Sequence, residues 1–367
     1  MRAPRPAAAN RPNRWPQRQP NTHPENLFMA NIALVGCAHI HTPGFVKRLQ
    51  ARADVNTAAV WDRDPARSKT CSDQLGAPAL DNVDAIWNDA AIDGVIICSE
   101  TDQHEPLVTA AAAAGKHMFV EKPLGIAAQD AYRMAAAIEQ AGVLFQTGYF
   151  SRGIPVHQAL KDLVAQGVFG QITRARFINC HSGAMRDIFT PDYLWMTDLQ
   201  QAGVGAFGDL GTHALDLMLW ILGDVDRVTA TLNVVLEKYG PDCDETGEAL
   251  FNFSSGAIGS LAAAWVDVAE PITAEISGTQ GHAYIHNRSD LYITSANLEG
   301  ADGKQPWTDL PPAWPHAFDL FLDALNAQDP SARASVPLVG AREAAYRSAV
   351  MEAMYTAAGE GSWVSLP

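Results

Sequence analysis

Ile32-Ala33-Leu34-Val35-Gly36-Cys37-Ala38-His39-Ile40-His41-Thr42-Pro43-Gly44 decides how the rest of this chain is read. An apolar run ends at a glycine and gives way to helix-forming sequence, which is the order strand, turn, helix. Runs of the same kind recur as Thr57-Ala58-Ala59-Val60-Trp61, Gly94-Val95-Ile96-Ile97-Cys98, His117-Met118-Phe119-Val120 and Val143-Leu144-Phe145-Gln146. Alanine-rich helical segments such as 105–114 and 127–141 separate them. Strands apolar on both faces and joined by helices predict a doubly wound parallel sheet.

The turn after the first strand is where a Rossmann fold carries G-x-G-x-x-G. Here only the first glycine, Gly36, is present; Ala38 and His41 hold the other two positions. An alanine methyl is tolerable where the backbone nears a pyrophosphate. A histidine at the third position predicts either a displaced helix start or a side chain turned toward the ligand. Asp62 closes the second strand some twenty-odd residues on, the place of an acid that accepts hydrogen bonds from a ribose and repels a 2'-phosphate. That favours NAD, while Arg63 beside it leaves NADP open; a surface Asp-Arg pair is the bland alternative. His39 and His41 also invite a metal, but no third ligand lies in the same stretch, and no metal is expected.

Glu121-Lys122-Pro123-Leu124-Gly125 follows the fourth strand and places an ammonium at the carboxyl end of the sheet, the side on which open parallel sheets bind ligands. Past residue 150 the pattern changes. Helical stretches at 156–166 and 209–222 accompany strand-like segments at 171–180, 227–236, 248–253, 257–266, 273–277 and 282–285, several alternating polar and apolar residues. Ser254-Ser255-Gly256 is a short turn between two of them. A large, mostly antiparallel sheet in an α+β domain is the economical reading, one face on helices and the other against a second subunit. Helices at 313–327 and 340–358 close the chain. Residues 29–150 are read as a nucleotide-binding domain and 151–367 as a substrate-binding and oligomerisation domain, the last helices packing back on the first.

Asp209 and His213 stand four apart in Gly208-Asp209-Leu210-Gly211-Thr212-His213, on one face of a predicted helix. Imidazole titrates near neutrality and can take a hydroxyl proton while the carboxylate orients substrate. In isolation, Asp209 reads equally as a helix cap and His213 as an ordinary helix residue.

The chain has 367 residues, 47% hydrophobic and 18% charged, which suits two soluble domains. Its net charge of -15 disfavours nucleic acid and anionic membrane as partners. The five cysteines are odd in number and never form C-x-x-C, which argues for reduced thiols in a cytoplasmic setting. Residues 1–28 interleave arginine with proline around a single acid, Glu25. They read as a disordered extension upstream of a native start at Met29, dispensable for fold and activity.

Taken in order, these motifs resemble the Gfo/Idh/MocA family, relatives of glucose-fructose oxidoreductase and inositol dehydrogenase, over residues 31–367. Ser99-Glu100-Thr101-Asp102-Gln103-His104 resembles the segment after the third strand of the sheet, with Glu100 in place of a common proline. Glu121-Lys122-Pro123 matches the family's E-K-P, Tyr149 to Arg152 with Pro155 its domain junction, and Asp209 with His213 its D-x-G-x-H helix. The resemblance implies a nicotinamide-dependent oxidoreductase acting on a sugar, polyol or sugar derivative. It implies catalytic roles for Lys122, Asp209 and His213, and cofactor contacts from Gly36, Ala38, His39, Ile40, Asp62, Arg63, Ser99, Thr101, His104, Glu121 and Lys122. It also implies a homo-dimer or homo-tetramer.

Tyr149, Arg152, His181 and Arg186 are the substrate candidates, at or after the junction; Arg186 could grip a carboxylate or phosphate, or pair with Asp187 or Asp192. Trp195 reads either as a platform for a sugar face or as packing beside Leu194 and Met196. Two other functions compete: an NAD-dependent glycosidase working by transient oxidation, and a ligand-sensing protein without turnover.

Overall fold

The computed structural model describes residues 29–366, so the expectations for residues 1–28 lie outside the described residues. Five parallel strands, β1 (Ala30–Val35), β2 (Val55–Trp61), β3 (Gly94–Ile97), β4 (His117–Val120) and β5 (Phe145–Thr147), form one sheet in the order β2-β1-β3-β4-β5. Helices α1 (Thr42–Ala51), α2 (Pro65–Leu75), α3 (Asp84–Asn88), α4 (His104–Ala113) and α5 (Ala128–Ala141) connect them. The β3 side chains are all buried, as expected of a strand covered on both faces. Because β2 and β3 flank β1 on opposite sides, the loops after β1 and β3 diverge. They open a crevice at the carboxyl end of the sheet.

The second sheet contains β6 (Ile172–Cys180), β7 (Val225–Asn233), β8 (Thr246–Phe253), β9 (Ile258–Ala264), β10 (Ile272–Gly278), β11 (Gly281–His286), β12 (Asp290–Ser295) and β13 (Val364–Ser365). Its order is β12-β11-β10-β6-β9-β8-β7-β13, antiparallel except where β6 and β9 run parallel. Two strands go beyond the sequence reading. In β12, Leu291 and Ile293 alternate inward, and the turn before it uses Asn287 and Arg288 at positive φ in place of a glycine. The other, β13, has two residues and exists through pairing with β7. Helices α6 (Pro155–Ala165), α7 (Leu199–Ala202) and α8 (Ala206–Leu222) belong to this half, and the long apolar α8 covers the inner sheet face with Leu215 and Met218. The outer face leaves Leu250 and Ile258 exposed.

The closing helices α9 (Ala317–Asn326), α10 (Pro330–Ala334) and α11 (Ala341–Glu360) tie the halves together. From α9, Phe318, Phe321, Leu322 and Leu325 fill a core shared with Ile32, Leu34 and Phe119 of the first sheet and Phe45 of α1. Arg52 bonds Asp323 at 2.8 Å across the same contact. In α11, which lies between α5 and β7, Arg347 joins Arg152, Asp216 and Glu343 in a buried ionic network. No helix among the described residues is long and apolar enough to cross a membrane, and all five cysteines are free and buried.

Several histidines are buried neutral. Burial pushes His157 down to about 4, its Nδ1 lying 2.8 Å from the Ser151 carbonyl, and pushes His39 down to about 3. An unfolded chain protonates these rings near pH 6.5, whereas the folded chain does not, so stability is full above that pH and falls as pH drops toward 4. Each such ring contributes a slope of about 1.4 kcal/mol per pH unit in that window. Urea midpoints measured from pH 7 to 4.5 should decline, and His157→Gln should flatten the decline; a pH-independent midpoint contradicts this account.

Candidate active site

Gly36 sits at φ +79°, and a Cβ there would meet the Ser99 backbone nitrogen at 2.5 Å, so a side chain is excluded by both conformation and space. The Ala38 and His39 amides both donate to the Cys98 carbonyl at 3.0 Å, clamping the turn after β1 to the end of β3. α1 begins one residue after His41, whose side chain turns inward so that Nδ1 lies 3.1 Å from Glu121 Oε1.

Asp62 is buried beside this turn and accepts from the Cys37 amide at 2.5 Å and the Asp64 amide at 2.7 Å. Arg67 bridges Asp62 and Glu100, at 2.8 Å to each. Arg63 reaches Glu100 at 2.9 Å, so the residue that replaces the family's proline holds two guanidiniums at the edge of the crevice. Arg67 escaped the sequence reading, although its five-residue offset from Asp62 across a helix start was the available signal. Two adjoining clefts lie here. One of about 590 Å³ is lined by Arg63, Arg67, Glu100, Trp195 and Gln201, and one of about 530 Å³ by Cys37, Thr42, Cys71 and Tyr193. A side-chain-free turn, an acid at the end of β2 and an elongated cleft beside them fit a dinucleotide.

Lys122, two residues past the end of β4, spans the two halves: its Nζ lies 2.7 Å from Asp209 Oδ1 on the first turn of α8. Trp265 Nε1 donates to the other Asp209 oxygen at 3.1 Å. Burial alone would favour a neutral Asp209, but the Lys122 ammonium outweighs it and holds the carboxyl well below its ordinary range. His213 follows one turn later, 7% exposed, its Nδ1 buried without a hydrogen-bond partner among the described residues. Burial, reinforced by the Lys122 charge, holds this imidazole well below its ordinary value and therefore neutral. Lys122 and Asp209 line one slot, closed by His39, Thr101, Trp195 and Met196, with the neutral His213 one helical turn further along α8.

Some expected ligand contacts are corrected. Arg152 is buried and pairs with Asp216 and Glu343, so its guanidinium is spent on the junction between halves. The Tyr149 hydroxyl bonds Thr212 Oγ1 at 3.0 Å, and its ring meets His213 edge-on, which makes it a support for the α8 face. His104 is 1% exposed, holds the Leu124 carbonyl through Nδ1 at 3.0 Å and lines none of the clefts described, so it braces the Lys122 loop from behind. Ser99 lies under Gly36. His181, half-buried, accepts from the Gly183 amide, and Arg186 sits exposed on the short 3-10 turn that follows. Trp195 packs: its Nε1 donates to the Ala38 carbonyl at 2.8 Å, laying the segment before α7 over the glycine turn.

Beyond His213 opens a cavity of about 250 Å³ lined by Phe150, Ser151, Asn179, His213, Thr273 and Arg288. Asn179 and Arg288 come from β6 and the β11–β12 turn, and nothing in their local sequence marks them. The expectation of no metal rested on the want of a third ligand near His39 and His41; folding supplies one, because Glu121 lies with both histidines in a cluster whose ligand atoms are all within 4.8 Å of one another.

Residues 30–149 match the family model described as the oxidoreductase family with NAD-binding Rossmann fold, and residues 157–284 match the GFO/IDH/MocA C-terminal domain. Myo-inositol 2-dehydrogenase of Thermotoga maritima is 27% identical over 281 residues, 75% of this chain and 80% of that protein. The 1,5-anhydro-D-fructose reductase of Ensifer adhaerens is 26% identical over 231 residues, 62% of this chain and 67% of its own. Among solved structures, levoglucosan dehydrogenase in complex with NADH and levoglucosan superposes with a TM-score of 0.76 at 22% identity, covering 92% of this chain and 99% of that one, a likeness of fold. With both halves matched, and with the turn, the Lys122 loop and the α8 pair assembled at one crevice, the chain belongs to the GFO/IDH/MocA oxidoreductase family and carries its NAD-binding Rossmann domain.

Proposed function

We propose that the protein interconverts a secondary alcohol and a ketone on a sugar, polyol or sugar derivative, using NAD. The observation that carries this reading is the 2.7 Å contact between Lys122 and Asp209, which sets an ammonium from one domain against a carboxylate from the other. A neutral His213 stands one helical turn away. NAD, when bound, takes up or returns the hydride. His213 receives the hydroxyl proton in the oxidative direction and returns it in the reductive one. Lys122 faces the developing alkoxide, where a fixed positive charge stabilises the transition state more than the ground state. Asp209 anchors Lys122 and offers its remaining lone pairs to a neighbouring substrate hydroxyl. The 250 Å³ cavity on the His213 side is of a size for a monosaccharide-scale ligand, with Asn179 and Arg288 among its polar lining residues; His181 and Arg186, outside that lining, are the further substrate candidates. A cytoplasmic setting suits the free thiols. The outer face of the second sheet is the surface assigned to self-association into a dimer or tetramer.

The test is spectrophotometric: NAD and NADP are offered with a panel of sugars, polyols and sugar acids, and nicotinamide reduction is followed. Substrate-dependent accumulation of NADH, faster than that of NADPH, is expected. Release of a glycosidic leaving group without net NADH would move the reading to a glycosidase. Binding without either change would make the protein a sensor.

A further inference from the structure

We propose that His39, His41 and Glu121 form a binding site for a divalent transition cation of zinc's class. The inference is independent of the substrate assigned above, and it arises from what the altered glycine turn brings together. Two imidazoles and one carboxylate are the donor types that such ions take, and three protein ligands with one position left open is a common arrangement for zinc.

The spacing suits one ion. His41 Nδ1 and Glu121 Oε1 are 3.1 Å apart, and His39 Nε2 and Glu121 Oε2 are 3.9 Å apart. Ligands held at about 2.0–2.1 Å from a tetrahedral ion stand roughly 3.3 Å from one another, so small side-chain rotations complete the set. The backbone beneath is fixed. Both histidines sit in the turn clamped to the Cys98 carbonyl, and the Glu121 amide donates to the Ile97 carbonyl, placing the three on adjoining strand ends. His39 and Glu121 are buried, whereas the His41 side chain is 37% exposed and marks the side open to solvent.

Charge favours occupancy: the Glu121 carboxylate is fully buried against the two imidazoles. The neighbouring Lys122 ammonium is directed to Asp209. The Glu121 carboxylate accepts from the Lys122 amide at 2.9 Å through Oε2 and faces both imidazoles, so a divalent ion adds a charge partner that these contacts lack. Occupancy has a stated local cost: ligation through His39 Nε2 puts the ring proton on Nδ1, and the 3.2 Å contact from the His41 amide to that atom must open.

The experiment uses the full chain without a polyhistidine tag, stripped with chelator, then dialysed against limiting zinc or cobalt. About one tightly held equivalent per chain is expected by elemental analysis, and the cobalt form should show visible d–d absorption. His41→Ala and His39→Ala should each weaken retention at least tenfold. His282→Ala with His286→Ala, on the second sheet, should leave it unchanged. Because Glu121 is fully buried, the two histidine variants carry the test, with circular dichroism to verify folding. Absence of a retained equivalent in the wild-type chain, or undiminished retention in both folded turn variants, would overturn the proposal.

Discussion

Lys122→Ala is expected to lower kcat by roughly two to three orders of magnitude, the cost of about 2.7–4 kcal/mol for removing one preorganised donor from a developing oxyanion. In this protein the loss reaches further than one contact. Asp209 keeps its charge in a buried place because the ammonium lies 2.7 Å away, and without it burial drives the carboxyl back toward neutrality. The variant should therefore acquire a new titration in its pH-rate profile, above the ordinary carboxylate range. NAD affinity, read by quenching of tryptophan fluorescence, should change far less than turnover. His213→Ala should lose about 10²–10⁴-fold in the same assay, as removal of a general base does. Wild-type turnover in Lys122→Ala would remove the ammonium from the mechanism, and wild-type turnover in His213→Ala would remove the base.

Asp216→Asn should be the most damaging change away from the site, at about 3–5 kcal/mol of stability. Asp216 is 1% exposed and receives Arg152 from the junction and Arg347 from α11, the latter at 3.0 Å. Neutralising it leaves two buried guanidiniums with only Glu343 between them, 2.8 Å from Arg152 and 3.0 Å from Arg347. Chemical denaturation followed by tryptophan fluorescence gives the number directly. A loss under about 1 kcal/mol would mean that Glu343 and solvent already carry the charge balance, and that the network is ornamental to stability.

The same residues show what could be read from the chain alone. The inner strands β3 and β4 of the first sheet were legible because a strand buried on both faces reads as an apolar run, and Asp209 with His213 because helical periodicity fixes a four-residue neighbour. Tyr149 and Arg152 were legible as donors but not as donors already taken. Their partners Thr212 and Asp216 lie 63 and 64 positions away, and Glu343 lies 191 positions from Arg152, distances at which no local pattern operates. The meeting of Glu121 with the two histidines was out of sight for the same reason, since Glu121 stands 80 positions from His41 and meets it only because β1 and β4 end on the same side of the sheet. Trp265, which fixes Asp209 from the end of β9, and Arg288, in a turn without glycine, carry no sequence signal of their role.

The return of α9 to the first sheet has a consequence for how the chain is made. Its four apolar side chains complete a core whose other half is finished by β5, yet Asn326 is synthesised about 180 residues after Thr147. At about 5–20 residues per second, the nascent first sheet waits on the order of 10–40 s with the surface around Ile32, Phe45 and Phe119 uncovered. An N-terminal half that would be a self-sufficient domain in another arrangement is here an unfinished one on the ribosome. Its apolar face is held open for the last part of the message, and is exposed to chaperones until α9 arrives.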